Sequence, residues 1–556
     1  MFPPAIFRRL IRGVSQTYTG MVVTKRSLHL AVRNIAQHGD TDVFPYPLEN
    51  HWFYDEEDVV VGILDMLDQD FDNWLSSYPI VSARLLSGVG YAGFRAATQI
   101  DPLWNAYLLG LVIQIAPEIE AARIPSEREV VFSYRYSPSD ERSTLFDPDL
   151  GWGRYHKTAL ATAESAEVIV STDISDFYSR IYHHRLENAL KQATTNTEAV
   201  RRIMAILSTL SSGTSYGLPV GGHAARILAE LILNRTDRLL LAQGLRFARF
   251  VDDYMLFAES REGAQGALVY LSEVLLANEG LTLSRSKTRF MTRAEFRRSS
   301  PLAEPTIADS EPEVEARTFL RLRLRYDPYS PTADEDYGRL AADIEKFDVT
   351  KMLARELRKS RVDEPLMRQL IKSIRFMTGE VRNGAVLSLL QNLEVLYPLF
   401  PSVAILLKAL LGDLSDAAKD MIFDVVRELI RRRSHITLVP TNLAYAIRLV
   451  AYDRSEETDT LLAGLYDRPK TDMMVRRDIL LAMTRRRVDY WLSDAIKRFS
   501  VLTPWEKRAL IPASYILGDE GRHWRERVRH ELSEVDQKFM QWVGAKNSGR
   551  IWEVPL

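Results

Sequence analysis

The 556-residue sequence contains no cysteine, which excludes disulfide bonds, thiolate zinc sites and cysteine nucleophiles. Its longest apolar stretch, from about Ala106 to Ala116, is too short to span a bilayer, so no membrane partner is expected. Low-complexity tracts and repeats of fixed period are not evident. Near the amino terminus, Arg8 and Arg9 precede any apolar segment of signal-peptide length. These features predict a cytoplasmic protein.

Charge is unevenly distributed along the chain, although the net charge is only −2. From residue 339 to the end there are 37 Lys and Arg against 30 Asp and Glu, a net +7; the remainder, 35 against 44, carries −9. The basic residues of the carboxyl-terminal part cluster at Arg431-Arg432-Arg433 and Arg485-Arg486-Arg487. Two interpretations stay open for these clusters: solvated helix faces, or a path for nucleic acid.

A chain of 556 residues is too long for one hydrophobic core, so two or three domains are expected. Residues 42–47 should be extended, and Asp101 with Pro102 should open a helix as N-cap and first-turn proline. Residues 130–136 predict a strand, followed by a loop up to about Gly153. A strand at 167–172, helices near 200–210 and 227–233, and a hairpin at 247–258 then indicate an α+β domain without regular alternation.

After about Tyr337 strand signals almost vanish. Helical periods recur between caps, one of which is the capping box Thr503-Pro504-Trp505-Glu506. Repeated short helices without strands predict stacked helical hairpins, similar to a HEAT-type solenoid but without a clean repeat. We expect the boundary between the α+β domain and this all-helical domain to lie between Tyr326 and Gly338.

Three aspartates are the first candidates for chemistry. Asp173 ends a predicted buried strand, and Asp252 and Asp253 lie in a tight turn between two apolar runs. An Asp-Asp pair alone is ordinary turn chemistry. Here the flanking runs are too apolar to be exposed, so carboxylates from two buried strands would converge and would repel one another unless they held cations. Such oxygen ligands suit Mg²⁺. Nucleotidyl transfer needs this arrangement, because two Mg²⁺ ions roughly 4 Å apart stabilise the attacking 3′-oxygen and the leaving pyrophosphate.

From about Gly90 to Tyr326 the chain resembles a reverse transcriptase, motif by motif. The resembling segments are Asp173-Ile174-Ser175-Asp176-Phe177-Tyr178 (motif A), Gly217-Leu218-Pro219-Val220-Gly221 (motif B), Phe250-Val251-Asp252-Asp253 (motif C), Gly280-Leu281-Thr282-Leu283 with Lys287 and Thr288 (motif D), and Phe319-Leu320-Arg321 (primer grip). Motif A to B is 44 residues, B to C is 35, and C to Lys287 is 35.

This resemblance implies fingers and a palm over residues 91–335, joined by an amino-terminal segment, 1–90, and followed by the helical domain, 336–556. It implies that Asp173, the Ile174 carbonyl, Asp252 and Asp253 bind two Mg²⁺ ions, with Mn²⁺ as a substitute, and that Lys287 is catalytic. Asp176 is expected to face solvent or to cap the next helix. The implied nucleotide contacts are Tyr178, Gly217, Pro219, Val220, Gly221, Arg135 and Lys157, the last two of which are equally compatible with structural roles. Arg321 is placed on the product path.

Tyr178 is expected to select the sugar. In the family, the residue five after the motif A aspartate lies under the sugar of the incoming nucleotide, where a ring clashes with a ribose 2′-hydroxyl. Related RNA polymerases place an Asp there instead. The resemblance therefore implies a DNA product, whereas the alternative is an ordinary aromatic residue on a core-facing helix turn.

Two departures narrow the resemblance. Ordinary reverse transcriptases have Gln where Val220 stands and Ser-Pro near Ala225-Arg226, so faithful copying of a template is in doubt. This form of motif B, with Ala229-Glu230 behind it, resembles the abortive-infection (Abi) and unknown-group, defence-associated reverse transcriptases of bacteria. Ser133-Tyr134-Arg135 is similar to their hallmark strand, and residues 517–525 are similar to the end of their helical domain.

That resemblance implies antiphage defence in the bacterial cytoplasm, homo-oligomers, and DNA made from dNTPs. In several members a protein hydroxyl primes synthesis without a template and stays attached to the DNA, whereas other members copy an associated noncoding RNA. Two further alternatives stay open: a conventional RNA-templated enzyme of retron or intron type, and a scaffold or sensor without catalysis.

Overall fold

The structure is a computed structural model that describes residues 22–302, 310–322, 324, 333–549 and 552–556. The sequence features at Arg8 and Arg9, and part of the expected domain boundary between Tyr326 and Gly338, lie outside these residues. Within them, no helix is both long and apolar enough to cross a membrane.

Helices and short strands alternate irregularly in the first 320 residues. The helices are α1 (Lys25–His38), α2 (Glu49–Asp55), α3 (Glu57–Gln69), α4 (Phe71–Ser77), α5 (Pro102–Ala122), α6 (Trp152–Ala163), α7 (Phe177–Arg180), α8 (His183–Ala193), α9 (Thr197–Leu210), α10 (His223–Ala242), α11 (Arg261–Glu279), α12 (Arg293–Ser299) and α13 (Glu311–Leu320). The strands are β1 (Ser82–Val89), β2 (Gly93–Ile100), β3 (Tyr136–Ser139), β4 (Thr144–Phe146), β5 (Val168–Asp173), β6 (Arg246–Phe250), β7 (Asp253–Ala258) and β8 (Arg289–Thr292).

From residue 333 onward the described residues contain helices and no strand. The helices are α14 (Ala333–Glu345), α15 (Val349–Leu357), α16 (Glu364–Ser373), α17 (Gly379–Gln391), α18 (Phe400–Leu410), α19 (Asp416–Arg431), α20 (Pro440–Val450), α21 (Glu456–Tyr466), α22 (Met473–Arg486), α23 (Asp489–Lys497), α24 (Pro504–Ile516), α25 (Gly518–Val528) and α26 (Glu534–Lys546). Short 3₁₀ helices occupy Ser126–Arg128, Ile374–Phe376, Tyr397–Leu399 and Phe499–Val501.

The central sheet is antiparallel, with strand order β6-β7-β5-β8. Its residues alternate between two buried faces. Val170 and Leu256 face one core with α10 and α11, whereas Ile169 and Met255 face a second core with α6 and α12. Because both faces of the sheet are covered, the apolar runs in the sequences of its strands are continuous and do not alternate between apolar and polar residues. The predicted strand and hairpin are confirmed here, with bounds shifted by a residue or so.

α5 is the central helix of the amino-terminal part. It starts where the sequence predicts, with the Asp101 carboxylate accepting from the Leu103 amide at 3.1 Å and Pro102 in the first turn. Up to Ala116 the helix is apolar on nearly every side, as expected of a helix enclosed by protein. α1, α8, α9 and α10 pack around it.

The carboxyl-terminal helices form two rows. α16, α18, α20, α22 and α24 pack in succession in one row, and α15, α17, α19 and α21 do so in the other. The capping box at Thr503 and Glu506 starts α24, as predicted. Two rows of alternating helices are the arrangement of stacked hairpins, although a HEAT-type repeat itself stays a prediction.

Buried contacts join the helical rows to the amino-terminal part. Ala83, Leu85 and Ala97 of the β1–β2 hairpin share a core with Met474 and Trp505. Arg508 of α24 is 3% exposed and binds carboxylates that lie more than 400 residues earlier in the chain.

Two local features differ from the sequence expectation. The β1–β2 hairpin was not predicted, because its residues are mostly small or charged and lack the β-branched pattern of a strand. Residues 130–136 form no continuous strand: Val131 makes a single bridge to Arg249, and the chain turns at Tyr134, whose φ is +45°. β3 begins only at Tyr136.

Candidate active site

The three aspartates meet at one end of the central sheet. β5 ends at Asp173, which lies opposite Asp253 on the antiparallel neighbour β7. Because Phe250 pairs with Asp253, Val251 and Asp252 form a two-residue turn between β6 and β7. The Ile174 amide donates to the Asp252 carbonyl at 3.1 Å. The structure therefore brings together the side chains that the sequence singles out as metal ligands.

Burial and mutual repulsion dominate the electrostatics of this end of the sheet. Asp173 is 4% exposed. Burial, followed by the charges of Asp173 and Asp253, raises the pKa of Asp252 to about 7. Burial and the charge of Asp173 raise the pKa of Asp253 to about 6. Such shifts arise when carboxylates crowd in a poorly solvated place, and a bound cation would relieve them.

Lys287 reaches the same place from the segment after α11. The Ser175 amide donates to the Thr282 carbonyl at 2.8 Å, and the Ser284 amide donates to the Asp173 carbonyl at 2.7 Å. These bonds hold the segment along the end of β5, and the Lys287 ammonium forms an ion pair with the Asp173 carboxylate. Although burial lowers the pKa of Lys287, the hydrogen bond and charge of Asp173 and the charges of Asp253 and Asp252 together raise it, so the side chain stays charged.

Carboxylates of this kind suit a divalent cation. In the described part of the chain, no three His, Asp or Glu side chains are arranged to hold one metal ion by themselves. A protein cage is not what phosphoryl transfer requires, since Mg²⁺ there takes one or two carboxylates together with water and substrate phosphates. Asp173, Asp252 and Asp253 fit that requirement by their chemistry, because a cation would offset the repulsion among them.

The predicted nucleotide loop, residues 217–221, is attached to the segment after Asp173. The Leu218 amide donates to the Tyr178 carbonyl at 2.8 Å, and the Gly217 amide donates to the Ile181 carbonyl at 2.9 Å. Gly217 and Gly221 have φ of +98° and +115°, which disfavour a side chain. At Gly221 a Cβ would also overlap the Thr41 hydroxyl oxygen. Pro219 and Val220 lie between these two glycines.

Tyr178 is half-buried beside this loop. Burial, and then the charges of Tyr134 and Glu230, raise the pKa of Tyr178 well above its ordinary value, so the phenol stays neutral. The charges of Arg226 and Asp252 also act on it. The ring thus lies within electrostatic range of Asp252.

Tyr134 and Arg226 form a pair that the sequence reasoning did not assign to the site. The Arg226 guanidinium lies 5.1 Å from the centre of the Tyr134 ring and pairs with Asp42 at 2.7 Å. Both residues act on Tyr178, and Asp252 acts on Tyr134. The sequence signal was weak, since these residues marked only a family subgroup and their meeting requires the turn at Tyr134.

The structure assigns different surroundings to the two expected triphosphate contacts. Arg135 is 2% exposed, and its guanidinium donates to Glu120, the Val131 carbonyl and the Ile124 carbonyl. Its side chain is fully used within the fold, which is the structural alternative left open by the sequence. Lys157 lies exposed on α6. Asp176 is exposed at the start of α7, as expected.

The arginine clusters lie at the carboxyl ends of α19 and α22. Arg485 and Arg486 are tied to Glu553 and Asp459, and little of either side chain is exposed. At the carboxyl end of α19, Arg431 pairs with Glu428 and Glu457, and Arg432 lies 3.8 Å from Glu394. Arg433 is exposed. Cations are favoured at helix carboxyl ends. The contacts therefore support a capping role most clearly for Arg485 and Arg486.

Arg321 is exposed and donates to the Leu302 carbonyl.

Residues 122–320 match a protein family described as reverse transcriptase (RNA-dependent DNA polymerase). The matched stretch contains the end of β5, the β6–β7 turn and Lys287. The chain thus carries a reverse transcriptase domain, which is an enzyme domain of the RNA-directed DNA polymerase and nucleotidyltransferase family. Such domains generally depend on divalent metal ions and use dNTPs with a nucleic-acid template.

Among solved structures, the chain is similar to telomerase from Candida albicans, solved with a TWJ fragment of telomeric RNA, at 12% identity over 67% of this chain and 70% of that one, with a TM-score of 0.29. It is also similar to apo telomerase from Candida tropicalis, at 9% identity over 68% and 74%, with a TM-score of 0.28. No curated protein matches the chain significantly.

Proposed function

We propose that the protein is a Mg²⁺-dependent DNA polymerase of the bacterial defence-associated reverse transcriptase class. The observation that carries this proposal is the position of Asp173 opposite Asp253, with Asp252 in the adjoining turn and Lys287 paired to Asp173. The defence role rests on the resemblance of the motif B region and of Ser133-Tyr134-Arg135 to that class.

Asp173, the Ile174 carbonyl, Asp252 and Asp253 would hold two Mg²⁺ ions, or Mn²⁺ in their place. Such ions supply charge stabilisation for the attacking 3′-oxygen and the leaving pyrophosphate. Asp252 has a pKa of about 7, so loss of its proton accompanies cation binding. Lys287 stays protonated and adds positive charge beside the phosphates.

The choice of sugar is assigned to Tyr178. Its backbone is hydrogen-bonded to the loop that carries Pro219 and Val220, so the ring and the nucleotide loop move as one unit. A neutral ring at this place excludes a ribose 2′-hydroxyl by steric contact. The product is therefore DNA.

We further propose that template use is unconventional. Val220 has no side-chain amide to contact nucleotide and template, and the helical rows are docked onto the amino-terminal part through buried ion pairs at Arg508. The product is then either started on a protein hydroxyl without a template or copied from an associated noncoding RNA, in a homo-oligomer. Arg431–Arg433, Arg487 and Arg321 stay candidates for contacts with the product.

The test is incubation of the purified full-length protein with labelled dNTPs and Mg²⁺, with and without added nucleic acid. Label that stays on the protein after denaturation, with no nucleic acid added, supports protein priming. Incorporation that requires an RNA template and a primer supports the conventional alternative. No incorporation of any nucleotide under any of these conditions, by folded protein, would contradict the polymerase proposal and favour the scaffold.

A further inference from the structure

The turn that carries the aspartates has an unfavourable backbone. Val251, directly before Asp252, has a φ of +58°, in the left-handed region. A β-branched side chain there is an outlier, because its Cβ crowds the neighbouring carbonyl. Such a residue persists only where the surrounding structure enforces its conformation.

Side chains hold both polar groups of the Val251 backbone. The Val251 amide donates to the Ser133 hydroxyl at 2.9 Å, and Arg249 donates to the Val251 carbonyl at 2.7 Å. Ser133 and Arg249 are completely buried, and Val251 is 7% exposed. Both bonds are therefore shielded from bulk water.

These two side chains belong to a buried ionic cluster behind the sheet. Glu230 accepts from the Ser133 hydroxyl at 2.5 Å, from Arg249 at 3.0 Å and from Arg123 at 2.7 Å. Asp237 accepts from Arg249 at 2.7 Å and from the Tyr254 hydroxyl at 3.0 Å. Arg123 also pairs with Glu120, which in turn pairs with Arg135, so three arginines face three carboxylates and the charges balance. The Ser133 hydroxyl donates a hydrogen bond to the Glu230 carboxylate and accepts one from the Val251 amide. These two bonds fix the orientation of the hydroxyl.

A buried ionic cluster is a poor source of stability, since an apolar core of similar volume is often as stable. Its distinctive property is that it fixes geometry. Here the geometry that it fixes is the turn of Asp252, whose carbonyl accepts from the amide of Ile174, directly after β5.

We propose that Ser133 and Arg249 are positioning residues that hold Val251 in the left-handed conformation and thereby aim Asp252 and Asp253 toward Asp173. This inference rests on the proposed polymerase function. In this role neither Ser133 nor Arg249 contacts substrate or metal. Both act through the backbone of Val251.

The test uses Ser133→Ala, Val251→Gly and the double variant in the full-length protein. Ser133→Ala removes the amide's partner, so single-turnover dNTP incorporation should fall about tenfold and half-saturation should need about tenfold more Mg²⁺. Glycine adopts positive φ freely, so Val251→Gly in the Ser133→Ala background should restore incorporation to within about threefold of Val251→Gly alone. Ser300→Ala is the matched control, because Ser300 is also buried but its hydroxyl has no hydrogen-bond partner among the residues that the structure describes; it should behave like the original protein.

A second readout is independent of catalysis. Amide hydrogen exchange across residues 246–258, followed by mass spectrometry, should speed up in Ser133→Ala and stay unchanged in Ser300→Ala. If the original protein incorporates no dNTP, the polymerase proposal fails, while this exchange still decides whether Ser133 holds the turn. The positioning proposal is overturned if Ser133→Ala matches the original protein in exchange, or if it loses activity that Val251→Gly does not restore.

Discussion

Arg508 offers a direct test of how the helical rows are held to the rest of the chain. Its guanidinium binds Glu49 at 2.8 Å, Asp101 at 3.1 Å and Asp536 at 3.0 Å, and it also binds the Tyr78 hydroxyl. The Arg508, Glu49 and Asp101 side chains are each no more than 5% exposed. Replacing Arg508 with Met would leave these carboxylates buried without their cation.

Removing one partner of a buried ion pair typically costs about 3–5 kcal/mol, because the remaining charge is uncompensated. We therefore expect Arg508→Met to lower the free energy of unfolding by about that amount at pH 8. The matched control is Arg522→Met. Arg522 forms an exposed pair with Asp519, and its loss should cost no more than about 1 kcal/mol.

The loss of stability in Arg508→Met should also depend on pH. Burial raises the pKa of Asp101, and Arg508 opposes that rise. Without Arg508 the pKa should rise further, so the folded variant binds a proton that the unfolded chain, at 3.8, does not bind near neutral pH. Stability that depends on such a proton is present at low pH and is lost as pH increases through the folded pKa. Arg508→Met should therefore lose stability from pH 5 to pH 8 more steeply than the original protein.

Urea denaturation, followed by tryptophan fluorescence and circular dichroism at pH 5, 6.5 and 8, measures both effects. A loss below about 1 kcal/mol at pH 8, with an unchanged pH slope, would refute the reasoning, since the three carboxylates would then not depend on Arg508.

Three further predictions concern the site and its surroundings. Tyr178→Val should raise the ratio of ribo- to deoxynucleotide incorporation and spare dNTP use; an unchanged ratio in active enzyme would show that the ring does not select the sugar. Gly221→Ala should lower incorporation and thermal stability, because its Cβ overlaps Thr41 and its φ is +115°, whereas Gly266→Ala, which meets open space in α11, should do neither. Reversal of Arg431–Arg433 to Glu should shorten the product and reduce its salt dependence if these residues contact DNA; an unchanged product would leave them as helix caps.

Local signals predicted much of the fold. Asp101 with Pro102, and Thr503 with Glu506, start α5 and α24 as their capping chemistry requires. The apolar runs before Asp173 and around Asp252 were sufficient to predict a strand and a hairpin, because they are short, rich in β-branched or aromatic residues and bounded by turn residues. The order of the motifs along the chain then indicated that Asp173, Asp252 and Asp253 lie close together in the fold.

What the sequence did not indicate depends on contacts between distant residues. Arg249 lies within an apolar run, and nothing local shows that Glu230 and Asp237 of α10 neutralise it. Arg135 and Arg486 seemed available for phosphates, yet each is used by a carboxylate of its own fold. Basic residues in a sequence therefore lead to an overestimate of the cationic surface of the folded protein. Only the tertiary packing determines which of them pair with acidic side chains.

The polymerase assignment is tested most directly at Asp252. Asp252→Asn keeps the size of the side chain and removes a carboxylate whose pKa is raised by burial and by its charged neighbours, so the variant should fold at least as stably as the original protein. Its incorporation of labelled dNTP with Mg²⁺ should fall by at least about a thousandfold, and Asp173→Asn should behave alike. Asp176→Asn, an exposed aspartate in the same motif, should incorporate normally. Near-normal incorporation by folded Asp252→Asn and Asp173→Asn would contradict the assignment of these carboxylates as the metal site of a polymerase.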